Sequence, residues 1–165
     1  MSQRIQRITP FLWFDRDAEA AARFYVSVFD DARILHVARY GKSGAQASGQ
    51  AEGTVMTVSF ELDGQAFLAL NGGPVFPLTP AVSFVVNCRD QQEIDRYWAA
   101  LAEGGDERAQ QCGWLRDRFG VSWQVVPVQM AELMTGDPAR AERVMAQVIK
   151  MKKLDLDALQ QAAAG

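Results

Sequence analysis

Few side chains in this sequence could do chemistry, and the most telling is an uncharged one. In CGWLRDRFGVSWQVVP (112–127), two short strand candidates are joined by a turn at Gly120. The second, Ser122 to Val126, is apolar except for Gln124 at its centre, where Val or Ile would pack better. A buried amide without partners costs roughly 1–3 kcal/mol, so Gln124 calls for a protein group, a water or a ligand. Glu61 shares a strand face with Thr57 and Ser59. It could act as a general base if that face is enclosed, and is an ordinary solvated carboxylate if it is not. The one histidine, His36, falls on another strand candidate and reads as a strand residue. Arg116, Asp117 and Arg118 flank the Gly120 turn and suit an ion pair or turn contacts. Cys112 has no neighbouring His or helix N-terminus to lower its pKa, so a nucleophilic role is not expected. No catalytic residue is assigned.

These groups sit in a chain of 165 residues, enough for a sizeable core, with a net charge of −3 and both signs scattered. That balance gives no reason to expect nucleic acid or an anionic membrane as a partner. No apolar run approaches the ~20 residues needed to span a bilayer. The start, MSQRIQRITPF, lacks the apolar segment of a secretory signal. Two cysteines, Cys88 and Cys112, fit neither a disulfide framework nor a metal motif. A cytoplasmic protein is expected.

The elements that must position Gln124 and its neighbours repeat. ITPFLWF (8–14) reads as a strand, followed by a helix with Asp17 as N-cap and Ala21, Phe24, Tyr25, Val28 and Phe29 at helical spacing. AVSFVVN (81–87) is again a strand. Asp90 with Glu93 then opens a helix whose stripe is Ile94, Tyr97, Trp98 and Leu101. The two stretches align without a gap about 73 residues apart, Asp17 falling on Asp90 and Phe24 on Tyr97. Three strand candidates follow each helix: 32–40, 54–62 and 65–71 in the first half, roughly 107–112, 114–119 and 122–127 in the second. Asp63-Gly64 marks a hairpin. Each half therefore reads βαβββ, and the fold class is α+β. The Gly/Ser/Ala/Gln-rich stretch 41–53 shows no periodicity and reads as a mobile loop, either a tolerated insertion or a lid. The domain reading is 1–128 for the paired modules (about 5–75 and 78–128) and 129–165 for a helical extension. That extension holds a short helix at 129–135, a helix opened by Asp137-Pro138, and a last helix from near Asp155.

Paired βαβββ modules resemble the vicinal oxygen chelate superfamily of glyoxalase I, extradiol dioxygenases and bleomycin-resistance proteins. ITPFLWFD, FYVSVF, GTVMTVSFELDGQAFLALNGGP, AVSFVVNC and CGWLRDRFGVSWQVVP are together similar to its PhnB-like branch, often labelled 3-demethylubiquinone-9 3-methyltransferase-like. The resemblance implies two modules whose sheets curl around a cleft, helices on the convex sides, and a frequent homodimer. It also implies a divalent metal held by His, Gln or Glu from the first and last strands of the modules. The corresponding positions here are Ile8, Pro10 or Leu12; Ala69 and Asn71; Ala81, Ser83 or Val85; and Gln124. One amide cannot hold a divalent cation against water, so neither metal nor cofactor is expected. The methyltransferase label finds no nucleotide-binding fingerprint. The first strand runs into Asp15-Arg16-Asp17 without a glycine, and Gly72-Gly73 precedes Pro74 and a loop.

What is then expected is an apolar cleft with a few polar groups. Strand alternation nominates Gln124, Trp114, Ser83, Leu12 and Phe14, and the resemblance adds Asn71, as the residues facing a small, largely apolar or aromatic molecule. The alternative is an enzyme of the glyoxalase, dioxygenase or isomerase type with an atypical or recruited metal. A homodimer is expected, clasped by the tail, whose Val144, Met145, Val148, Ile149, Leu156 and Leu159 form an apolar face that must be covered.

Overall fold

The computed structural model describes residues 5–165 and resolves the chain into two compact units that meet between Leu78 and Thr79. In the first, strand β1 (Phe11–Phe14) leads into helix α1 (Ala18–Val28), then β2 (Arg33–Arg39), α2 (Lys42–Ser48), β3 (Val55–Leu62) and β4 (Gln65–Asn71). The strands form one mixed sheet in the order β1-β4-β3-β2, with β1 parallel to β4 and the other pairs antiparallel. Val58, Phe60 and Leu62 alternate with half-buried Thr57, Ser59 and Glu61 along β3, so one face is core and the other is not. Helix α1 covers the core face with Ala18, Ala21, Ala22 and Tyr25, and the Tyr25 ring stacks on Phe60, which stacks on Phe67. Small alanines let the helix lie close while one aromatic fills the gap.

The start of α1 departs from expectation. Asp17 stands at the N-cap position but its side chain makes no capping bond. The cap comes from the neighbouring strand, where Asn71 Oδ1 at the end of β4 accepts the Ala18 N–H at 2.8 Å. The stretch 41–53 is not a structureless loop either. It contains α2, seated where the Tyr40 ring lies 3.3 Å from the position a Cβ would take at Gly44.

The second unit runs β5 (Phe84–Cys88), α3 (Gln91–Ala102), β6 (Trp114–Arg116), β7 (Ser122–Pro127), α4 (Met130–Leu133), α5 (Pro138–Val148) and α6 (Leu156–Ala164). Its sheet has the order β5-β7-β6, with β5 parallel to β7. The strand expected at 107–112 does not form. A single 3-10 turn (Glu107–Ala109) and one bridge, Gln111 to Trp114, take its place. Asp106 explains part of this, since its carboxylate accepts from the Arg108 N–H and pairs with Arg108 and Arg116, which winds the chain instead of extending it. Asp90 does cap α3, accepting the Glu93 N–H at 2.9 Å. Val86, Cys88, Ile94, Leu101, Leu115, Trp123 and Val125 make the core between sheet and helix.

The tail also differs from its expected part as a clasp. Val144, Val148, Leu154 and Leu159 form a buried cluster with half-buried Cys112, Met130, Leu133, Met134 and Met151 packed on it. Leu156 is buried too, its N–H given to Gln91 Oε1. The apolar face is thus covered within its own unit, and only Met145 and Ile149 of the stripe stay exposed. The reason is the loop at 149–155, which turns α6 back against α5 and hydrogen-bonds to the chain before β6.

Candidate functional site

Gln124 lies in the middle of β7, paired with Val85 of β5 on one side and Trp114 of β6 on the other. Its strand neighbours Trp123 and Val125 are buried under α3, so by alternation Gln124 is on the opposite, open face and is half-buried. There its Nε2 donates to Ser83 Oγ at 3.0 Å. This is its one side-chain bond among the described residues, leaving the carbonyl oxygen and a second N–H for other partners. Val85 and Trp114 flank this amide on the same face. The structure therefore brings together three of the expected residues, Gln124, Trp114 and Ser83, around one polar centre.

The turn that leads into β7 is fixed by a buried carboxylate. Asp117 is buried, and its carboxylate accepts the N–H groups of Phe119 at 2.8 Å and Val121 at 3.0 Å and the Trp123 indole N–H at 2.8 Å. Three donors satisfy the desolvated carboxylate and lock the Gly120 turn. Arg116 pairs with Asp106, and Arg118 with Glu103. These are the turn contacts and ion pairs expected for this run.

The other three expected residues stand elsewhere. Leu12 and Phe14 are buried on the face of β1 that α1 covers, in register with Ala69 and Asn71. Asn71 is buried beside them and both ends of its amide are bonded within the fold, Oδ1 to the helix N-terminus and Nδ2 to the Val55 carbonyl at 3.1 Å. The open face of β1 belongs to Phe11 and Trp13, which sequence reasoning missed. FLWF is apolar at every position, so alternation fixes a period but not which half of it looks inward. A signal was nonetheless present in Gly72-Gly73. A Cβ at Gly72 would stand 2.2 Å from Trp13 Cζ2, and the indole N–H donates to the Gly73 carbonyl at 2.9 Å. The glycine pair makes room for an indole, which stacks edge-on with Phe76 at 5.0 Å. Glu61 lies on the same open face and pairs with Arg33 at 2.7 Å, while His36 stands opposite Ser59.

The donor set does not fit a divalent metal at the expected positions. Leu12 and Ala69 offer nothing, Asn71 is committed to the fold, and Gln124 and Ser83 supply an amide and a hydroxyl bonded to each other. Among the described residues no three His, Cys, Asp or Glu side chains gather as a metal site would require. Cysteine chemistry is equally quiet at Cys88: burial, with the Glu93 and Asp90 charges adding, pushes its thiol up to about 11.

Two βαβ-based units, each with a mixed sheet, make a fold of the vicinal oxygen chelate type, α+β as expected. Fosfomycin resistance proteins FosX share the fold, that of Mesorhizobium loti at 17% identity (TM-score 0.50, 74% of this chain, 91% of the other) and that of Listeria monocytogenes at 12% (TM-score 0.53, 82% and 100%). More specifically, the family model described as 3-demethylubiquinone-9 3-methyltransferase matches residues 6–126, and the chain belongs to that PhnB-like family. A PhnB protein of Bacillus cereus is 37% identical, with a TM-score of 0.63 over 74% of this chain and 100% of its own. No curated protein matches the chain. The family's descriptive name does not carry methyl transfer to this chain, because the glycine pair that could suggest a cofactor turn is occupied by Trp13.

Proposed function

We propose that the protein binds a small, largely apolar or aromatic molecule, without the superfamily metal. The observation that supports this reading is the half-buried Gln124 amide, tethered to Ser83 and flanked by Val85 and Trp114 on a sheet face that no helix of its unit covers. An aromatic or aliphatic body would lie against Trp114 and Val85, while a carbonyl or hydroxyl on it would meet the amide. Leu12, Phe14 and Asn71 drop out of the binding set because they serve the α1 core.

Native mass spectrometry of protein taken directly from cells should show a co-purifying small molecule. Trp fluorescence titration with that molecule should give a saturable change. In Gln124→Leu the fold should persist, and binding should weaken by about 1–2 kcal/mol, roughly tenfold, as expected for one lost hydrogen bond. Unfolding of Gln124→Leu, or unchanged binding, would refute the role of the amide.

A second reading, an enzyme of the glyoxalase or isomerase type, draws on Glu61, a carboxylate on the open face of the first sheet beside Arg33. Elemental analysis of purified protein, with thermal shifts against divalent ions, separates the two. Stoichiometric zinc, iron, nickel or manganese would favour the enzyme.

A further inference from the structure

Four of the chain's six methionines fall between 130 and 151, and three of them are not scattered but gathered. Met130, Met134 and Met151 pack, each half-buried, around Val144, Val148, Leu154 and Leu159, and the Cys112 thiol joins the same cluster. Sulfur side chains adapt to an irregular gap. Here they also combine two properties that a modification site needs: contact with a core, and enough exposure for a small oxidant to arrive.

What this cluster holds in place gives it consequence. Three consecutive residues before β6 are fastened to the chain between α5 and α6. Gln111 Nε2 donates to the Ile149 carbonyl at 2.6 Å, the Cys112 N–H to Met151 O at 2.8 Å, and the Gly113 N–H to Lys152 O at 2.8 Å. Cys112 and Gly113 both have left-handed backbones (φ 56° and 83°), a conformation costly for Cys that the surrounding bonds must maintain. Leu154 packs so closely that a Cβ at Gly113 would stand 3.1 Å from its Cδ1. The Gly113 carbonyl then accepts the Val125 N–H at 2.8 Å, and the next residues on each side are Trp114 and Gln124. A chain of contacts runs from the methionine cluster to the turn, and from the turn to both strands of the open face.

We propose that Met130, Met134 and Met151 form a peroxide-sensitive modification site whose oxidation releases the tail from the Gln111–Gly113 turn. The reaction transfers one oxygen atom from a hydroperoxide to each thioether sulfur, giving the sulfoxide and leaving water (from hydrogen peroxide) or the corresponding alcohol. Sulfur loses two electrons as the S–O bond forms, and the O–O bond takes them up and breaks, the departing oxygen leaving protonated as water or alcohol. The sulfoxide is polar and bulkier than the thioether, and the cluster it would enter is built on Val144, Val148, Leu154 and Leu159, so the packed arrangement is disfavoured and the tail loosens. A thiol-dependent methionine sulfoxide reductase reverses the change.

The test uses the full-length protein with Cys112→Ala to remove thiol chemistry, graded hydrogen peroxide, peptide mass spectrometry to locate each sulfoxide, and hydrogen exchange. Met145, 40% exposed, serves as the internal control. Its oxidation should precede the others and leave Tm unchanged. Oxidation of Met130, Met134 and Met151 should lower Tm by about 5 °C or more. It should also speed exchange at the backbone amides of positions 112, 113 and 125 at least about tenfold, while residues 55–71 stay protected. Reductase treatment should restore both. The variant Met130→Leu, Met134→Leu, Met151→Leu keeps the shape and should lose the response. Full oxidation of the three methionines with no faster exchange at 112–113, or the same Tm loss in the leucine variant, would overturn the proposal. Oxidation and repair of the unsubstituted methionines decide it even if that variant does not fold. None of these readouts depends on ligand binding.

Discussion

Replacing Asn71 tests the structure where it departs most from expectation. Its side chain is buried, accepts the Ala18 N–H at 2.8 Å and donates to Val55 O at 3.1 Å, tying β4 to α1 and to the start of β3. Asn71→Ala removes a helix cap, worth about 1 kcal/mol. It also strands the Val55 carbonyl and leaves a small void, for about 1–2 kcal/mol more. The total is about 2–3 kcal/mol. At about 2–4 °C per kcal/mol for a chain of this size, Tm should fall by about 5–10 °C. The companion variant is Asp17→Ala. Sequence makes Asp17 the cap, but its side chain makes no capping bond, so this change should move Tm by less than about 2 °C. Both variants are compared by calorimetry and urea unfolding in one buffer. Equal losses at the two positions, or a larger loss at Asp17, would refute the assignment of the cap to Asn71. A tenfold loss of ligand binding in a still-folded Asn71→Ala would return Asn71 to the binding set.

Gly72→Ala should destabilise the first unit and red-shift Trp13 emission, because the new methyl lands 2.2 Å from the indole; an unchanged spectrum would mean the indole lies elsewhere. The Cys88 thiol, held at about 11 against an ordinary 9, should react with Ellman's reagent far more slowly than Cys112 at pH 8–9. Because its folded pKa is the higher one, the stability linked to Cys88 is fully present below pH 9 and is lost as pH rises towards 11; urea midpoints for the protein and for Cys88→Ala across that range measure it. Truncation after Val128 should lower the stability of the second unit, seen by circular dichroism, since it strips Leu154 and Leu159 from their cluster. Sedimentation of the full-length chain tests the homodimer separately, with exposed Met145 and Ile149 as the tail's remaining apolar contacts.

Much of this molecule is legible in the residues alone. The repeat of aromatic helix positions 73 residues apart, the Asp63-Gly64 hairpin and the Asp90 cap all depend on interactions within a few residues, and local spacing encodes them. The oddity of Gln124 in an apolar strand was visible for the same reason, and its neighbours Trp114 and Ser83 follow from strand order. Local pattern could not say which face of FLWF looks at the helix, because all four residues are apolar and only the docking of α1 separates Leu12 and Phe14 from Phe11 and Trp13. Nor could it show that Asn71 caps a helix 53 residues away, or that the tail folds back onto the Gln111–Gly113 turn instead of reaching outward. Those outcomes rest on contacts distant in sequence, where the partner that satisfies a buried amide or covers an apolar stripe is chosen by the packed fold and by nothing within a few residues of either.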